Sequence, residues 1–150
     1  DVSRAIRTPE VTEFVSTVSA QALVREALTK QQKLMGTHGG LVAEGRDIGT
    51  TVFPDAELKI FLTASPSERA KRRAIDLESQ GLPVPNLKNL ESQIQQRDEL
   101  DSNRAISPLL KAKDATEVIT DGMNIEEVIN VLVDLFYFRI PEEVWPANNY

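Results

Sequence analysis

The sequence contains no cysteine and a single histidine, His38. Without thiols there is no disulfide framework and no thiolate metal site. His38 lies within Gly36-Thr37-His38-Gly39-Gly40 and has no acid–base partner nearby, so it reads as loop. No Ser/His/Asp triad, His-rich metal spacing or pair of catalytic carboxylates can be assembled, and no metal ligand is assigned. The phosphate-cradling pattern Gly-x-x-x-x-Gly-Lys-Ser/Thr is also missing, and the glycine cluster at 36–40 lacks its lysine and hydroxyl residue. No apolar run approaches the roughly 20 residues that cross a bilayer. The opening Asp1-Val2-Ser3-Arg4 shows neither the apolar stretch nor the small-residue site of a secretory signal, so a soluble, cytoplasmic chain with no membrane partner is expected. Repeats, Gly/Ser linkers and low-complexity tracts are absent, which leaves one unit.

What is present is globular in proportion. The 150 residues are 41% hydrophobic and 27% charged, with a net charge of −6 that disfavours broad nucleic-acid binding while leaving room for a local basic cluster. Thr8-Pro9-Glu10 opens a helix, with Thr8 capping and Pro9 in the first turn. Val11, Phe14, Val15, Val18, Ala22 and Leu23 recur at helical spacing, predicting one amphipathic helix to about Met35. Leu41-Val42-Ala43 is a short strand candidate leading into the glycine-rich Glu44-Gly45-Arg46-Asp47-Ile48-Gly49-Thr50 loop. Leu58-Lys59-Ile60-Phe61-Leu62 is the next strand, and Ser65-Pro66-Ser67-Glu68 a capping box with proline in the first turn. The helix it opens ends near Gly81. A second starts near Asn86, turns Leu87, Leu90 and Ile94 to a core and reaches about Arg104. Glu117-Val118-Ile119-Thr120 is a third strand candidate, followed by an Asn124-x-x-Glu127 cap and a helix through about Phe138. Strands alternating with helices imply an α/β fold with a parallel sheet covered on both faces, and ligands in such sheets sit off the strands' carboxyl ends.

Three groups of residues could carry chemistry. Arg69, Arg72 and Arg73 stand at i, i+3 and i+4, so three guanidinium groups share one helical face. Either an anion relieves their repulsion or they are a solvated face paired with Glu68, Asp76 or Glu78. Arg97, Asp101 and Arg104 share another face: a carboxylate orienting two forks toward one target, or a plain salt-bridge ladder. In the glycine-rich loop Asp47 can accept from a base amino group or sugar hydroxyl and Arg46 can donate to a phosphate, unless the two simply pair with each other. Trp145 reads as a docking aromatic in the tail.

Six collinear segments, Ile6-Arg7-Thr8-x-Glu10-Val11, Val24-Arg25-Glu26-Ala27-Leu28, the 44–50 loop, Val52-Phe53-Pro54-Asp55-Ala56, Lys59-Ile60-Phe61-Leu62 and Arg97-Asp98-x-x-Asp101-x-x-Arg104-x-x-x-Pro108-Leu109, together resemble the bacterial cytidylate kinases over nearly the whole chain. The ending Ile140-Pro141-Glu142-Glu143-Val144-Trp145 is similar to the cyanobacterial version, in which the kinase follows a pantoate–β-alanine ligase in one bifunctional polypeptide. The resemblance implies transfer of the ATP γ-phosphoryl group to CMP or dCMP with Mg²⁺. It places Ser16, Arg25 and Asp47 at the cytosine ring, Arg46 near the acceptor phosphate, Asp101 and Arg104 around the sugar, and Arg7 in the monophosphate-binding segment. Arg72, Arg73 and Arg97 fall in the mobile lid that closes over the phosphates, the catalytic role the resemblance implies.

The resemblance further implies a P-loop nucleoside monophosphate kinase-like sheet with flanking helices. Part of the monophosphate-binding segment would cover about 1–38, core elements about 39–64 and 105–150, and the lid about 65–104. The family's N-terminal strand and phosphate-binding loop, which carry most of the ATP and Mg²⁺ site, have no counterpart in these 150 residues. A C-terminal portion of a longer kinase, with little activity alone, is therefore expected. That strand lies centrally in the family's sheet, between those matching 41–43 and 58–62. The chain is expected either to pair these two directly, to take a strand from another copy, or to stand beside a separate segment. The competing expectation is a non-catalytic domain that binds nucleotide or phosphate or serves oligomerisation.

Overall fold

The computed structural model describes residues 2 and 5–144. The chain runs from a 3-10 turn, Ala5–Arg7, into helices α1 (Pro9–Ser19) and α2 (Ala22–Met35). Then come strand β1 (Ile60–Thr63), helices α3 (Pro66–Ser79) and α4 (Leu87–Ser102), strand β2 (Thr116–Ile119) and helix α5 (Ile125–Arg139). β1 and β2 form a parallel two-stranded sheet with Leu62 opposite Val118 and Thr63 opposite Ile119. The α/β class and parallel pairing expected from the alternation of elements are observed.

Local caps set the helix starts. Thr8 Oγ1 accepts from Val11 N at 3.5 Å, Ser65 Oγ from Glu68 N at 3.2 Å, and Asn124 and Glu127 complete a reciprocal capping box. Such caps satisfy amides that the first helical turn leaves unpaired. Gly81, at φ +67°, ends the α3 turn in the left-handed region that glycine reaches without strain.

Three expectations need correction. The single helix to Met35 is two: the backbone leaves helical geometry at Gln21 (φ −69°, ψ 130°), which begins α2 without a side-chain cap. Thr17-Val18-Ser19, all weak helix formers, precede the break. Residues 41–43 form no strand; Val42 is 98% exposed. An isolated apolar triplet cannot hold extended geometry without a paired neighbour, and the direct pairing of 41–43 with 58–62 is not made. Leu87 does not enter the core; as the first residue of α4 it is 49% exposed.

The described core lies between α3 and α4. Ala70 and Leu77 on α3 meet Leu90 on α4, with Ala74, Leu82 and Ile94 around them. The i, i+4, i+7 spacing of 70, 74 and 77 gives α3 one continuous apolar stripe. Burying Leu77 and Leu90, each 4% exposed, contributes roughly 1.5–3 kcal/mol apiece. Ion pairing of Arg69 with Asp98 ties the same two helices at their polar edge. Elsewhere apolar side chains stay open: Ile125, Ile129 and Val133 make an exposed stripe along α5, and β1 has no described strand on its other side. No helix among the described residues is long and apolar enough to cross a membrane.

Candidate functional site

Six of the sequence-derived candidates converge on one cavity of about 160 Å³, between α2, the 45–48 loop and α4: Arg25, Arg46, Asp47, Arg97, Asp101 and Arg104. A wider hollow of about 650 Å³ lies along α2, but Arg25 is the one candidate that borders it.

The loop is shaped by its own backbone. Asp47 O accepts from Thr50 N, Thr51 N and Val52 N, drawing Ile48–Val52 into one π-helical turn. A Cβ at Gly45 would stand 2.7 Å from Ile48 Cγ1, so the loop folds this tightly only without a side chain there. Asp47, 4% exposed, is thereby held facing α2. Arg25 Nη2 donates to Asp47 Oδ1 at 3.1 Å, with the two side chains 10% and 5% exposed. Asp47 Oδ2 and Arg25 Nε are buried and have no hydrogen-bond partner among the described residues. An ionised carboxylate with one oxygen anchored and the other open is an acceptor waiting for a donor.

Asp101 is a second hub. Its side chain is 2% exposed, Oδ1 lies 3.4 Å from Arg104 Nη1, Oδ2 lies 3.9 Å from Arg97 Nε, and Arg46 Nε contacts Oδ2 from the loop. One carboxylate thus faces three guanidinium groups, an excess of positive charge that suits an arriving anion. Arg104 is further held by the Ser107 carbonyl, 2.9 Å from Nη2, which the φ of +51° at Ser107 turns back toward α4. Burial, and after it the neighbouring Arg46 guanidinium, hold the Arg97 pKa below the ordinary arginine value, against the opposing pull of Asp101 and Asp98.

The arginines of α3 do not act as one face. Arg69 pairs with Asp98. Arg72 pairs with Glu68 and donates to Thr120 Oγ1 at 2.9 Å, to the Thr120 carbonyl and to the Met123 carbonyl. Arg73 makes no ion pair or hydrogen bond with a described residue, and its charge is felt at Arg97. The backbone places Arg7 in the 3-10 turn and Ser16 in α1, but their side chains lie outside the described residues, as does Trp145. His38 is in the turn after α2, as expected of a loop residue.

Sequence patterns found Arg97-Asp101-Arg104 because their spacing is local. They missed the pairing across the loop: Arg46 and Asp47 do not pair with each other but reach Asp101 and Arg25. They also missed Gln32, whose Oε1 is buried at this cavity without a described partner. Its position two helical turns after Arg25 was the available signal. Among the described residues no three His, Asp or Glu side chains gather to hold a metal ion. The cavity's carboxylates, Asp47 and Asp101, both face guanidinium groups, so the donor set does not fit Mg²⁺.

Comparison with known proteins bears on this arrangement. The sequence model of the cytidylate kinase family matches residues 1–137. A bifunctional pantoate ligase/cytidylate kinase of Prochlorococcus marinus (strain MIT 9303) is 66% identical over 147 residues, covering 98% of this chain and 30% of the relative. Proteins of the same description from Prochlorococcus marinus (strain NATL2A) and Synechococcus sp. (strain WH7803) are 59% and 62% identical, over 99% and 98% of this chain. The chain spans 30%, 29% and 30% of the length of these three relatives.

Proposed function

The chain belongs to the cytidylate kinase family, and from that premise we propose that, within a longer polypeptide, it transfers the γ-phosphoryl group of ATP to CMP or dCMP. In this reading that polypeptide is bifunctional and also carries a pantoate ligase, as the relatives' descriptions indicate for them. The observation that carries the proposal is the buried Arg25–Asp47 pair beside the Asp101 hub in one cavity.

In this reading Asp47 accepts from the cytosine ring, with Arg25 holding its other oxygen and Ser16 alongside. Arg46 receives the acceptor phosphate, aided by Arg7, and Asp101 and Arg104 position the sugar. Arg72, Arg73 and Arg97 belong to the lid over the phosphates, with Arg73 free to swing and Arg72 fastening the lid to the end of β2. Phosphoryl transfer asks the protein for in-line positioning and for neutralisation of charge spread over several oxygens. Each terminal phosphate brings roughly −1.5 to −2 charge, which matches the surplus of guanidinium around Asp101. A closing lid strengthens these contacts by expelling water and suppresses hydrolysis of ATP. Mg²⁺ would accompany ATP and, in this reading, be held by residues of the longer polypeptide, and no step here is routed through it. The open edge of β1 and the apolar stripe of α5 are the surfaces that those residues, or a second copy, would cover, and without them the chain alone has little activity.

The test is CMP-dependent formation of ADP from ATP by the complete polypeptide. Turnover with CMP and dCMP is expected. CMP binding without turnover would leave a nucleotide-binding domain rather than an enzyme.

A further inference from the structure

Lys59 lies outside the cavity, at the entry to β1, yet its side chain braces the turn that carries Asp47. Its backbone is fixed by the sheet: Lys59 O accepts from Thr116 N at 2.9 Å. From there the side chain, 8% exposed, reaches back to the glycine-rich segment. Its methylene stem lies against Gly49, where a Cβ would stand 3.5 Å from Lys59 Cδ and 3.6 Å from Cγ. Its ammonium donates to the Pro54 carbonyl and, at 2.6 Å, to Asp114 Oδ2. Gly49 is near the start of the π-helical turn Ile48–Val52 and Pro54 is two residues beyond its end, so one side chain meets the turn on both sides. Such turns are rare and recur at functional sites. With the Asp114 side chain 56% exposed, the ion pair by itself adds little. What the desolvated ammonium provides is a fixed link from the sheet to the turn.

We propose that Lys59 is a positioning residue for nucleotide binding: it holds the Ile48–Val52 turn to the sheet and so fixes the direction of the Asp47 carboxylate. This rests on the cytidylate kinase reading above, in which Asp47 meets the pyrimidine. Lys59 touches no substrate and acts through Asp47. The coupling is short. Asp47 O accepts from Thr51 N at 2.8 Å and Ile48 O from Phe53 N at 2.7 Å, so a shift of the chain at Gly49 or Pro54 is carried to the Asp47 backbone. The Asp47 side chain is bonded to Arg25 at 3.1 Å, which leaves it little freedom to compensate. Displacing a binding group by about 1 Å can cost about 100-fold in rate.

The experiment measures kcat and KM for CMP and ATP in the complete polypeptide, wild type, Lys59→Met and Lys59→Arg, together with amide hydrogen exchange over 48–53 and 115–119. Lys59→Met keeps the stem on Gly49 but loses the bond to the Pro54 carbonyl. KM for CMP should rise about tenfold, with kcat and the KM for ATP within about twofold of wild type. Exchange over 48–53 should quicken about tenfold, whereas 115–119, whose Thr116 amide is held by the Lys59 backbone carbonyl, should not change. Lys59→Arg keeps a donor for both partners and should bring KM for CMP back to within about threefold of wild type. A fall in kcat with both KM values unmoved, equal rises in both KM values, or faster exchange across both segments makes Lys59 a residue of general stability and overturns the proposal. A Lys59→Arg variant no better than Lys59→Met overturns it too. If Lys59→Met does not fold, Lys59→Gln, polar but one bond shorter, is read in the same way. Wild-type protein without CMP turnover removes the kinase reading and this inference with it. CMP turnover with an unchanged KM for CMP in Lys59→Met removes this inference alone.

Discussion

Arg25 and Asp47, 22 positions apart, meet through a 3.1 Å hydrogen bond with both side chains nearly excluded from solvent. The pair fixes α2 against the glycine-rich loop, and one oxygen of Asp47 remains uncommitted. Stability and recognition therefore draw on the same carboxylate: Oδ1 compensates the buried guanidinium, and Oδ2 is left for a ligand.

Asp47→Asn separates these roles, because the amide oxygen still accepts from Arg25 while the charge presented to the base is lost. In the complete polypeptide kcat/KM for CMP should fall about 10- to 100-fold, the worth of a hydrogen bond to a charged group, with the KM for ATP within about twofold of wild type. Parallel rises in both KM values would place the base elsewhere.

Asp101→Asn removes the carboxylate that Arg46, Arg97 and Arg104 share, leaving Asp98 near Arg97 as the remaining counter-charge. Breaking a buried ionic hub of this kind costs roughly 3–5 kcal/mol, seen as a lower thermal midpoint of the kinase unit. Inorganic phosphate should restore more of that loss than chloride at equal ionic strength, because an oxyanion takes the place of the carboxylate between the three forks. Equal recovery by both salts would mean that the cluster is screened rather than occupied.

How much of this was legible depended on distance along the chain. The Ser65 and Asn124 caps and the Arg97, Asp101 and Arg104 face follow from spacings of three or four residues, which helix geometry fixes. The break at Gln21 and the irregular backbone at 41–43 depend on neighbours that a local pattern does not contain. Arg46 stands next to Asp47, so adjacency pointed to a pair, whereas the backbone bonds to the Asp47 carbonyl turn the two side chains to different partners. Gln32 belongs to no charge pattern, and its place two turns after Arg25 on α2 gains meaning only from the burial of its Oε1.

The two α3 arginines assigned to the lid should behave differently. Arg72→Ala loses bonds to Thr120 and the Met123 carbonyl from a side chain 39% exposed, and should destabilise by about 1–2 kcal/mol after allowance for solvent. Arg73→Ala touches no described partner and should stay within about 0.5 kcal/mol of wild type. Phosphate affinity should follow the opposite order, falling more for Arg73→Ala and weakening with added salt in the wild type. Salt-independent affinity would count against an anion at this face.

The start of α3 carries an acid-sensitive contact. Ser65 N donates to Asp121 Oδ2 at 2.9 Å, joining the turn after β1 to the turn after β2. Hydrogen bonding from Ser65 holds the Asp121 carboxyl below its ordinary pKa, outweighing the opposing effect of desolvation. A depressed folded-state pKa means that the unfolded chain binds protons first as pH falls. The contribution is therefore complete above the ordinary aspartate value of about 3.9 and is lost as pH drops through the lower, folded value. Asp114, lowered by its bond from Lys59, titrates in the same direction, so wild type alone cannot apportion the effect. Asp121→Asn keeps an acceptor for Ser65 N and removes one titrating group while leaving Asp114 in place. The variant should lose less stability than wild type between about pH 4 and pH 2, measured as the fall in thermal midpoint, and the two curves should run parallel above that window. Identical acid limbs would show that the Ser65–Asp121 contact does not persist in solution.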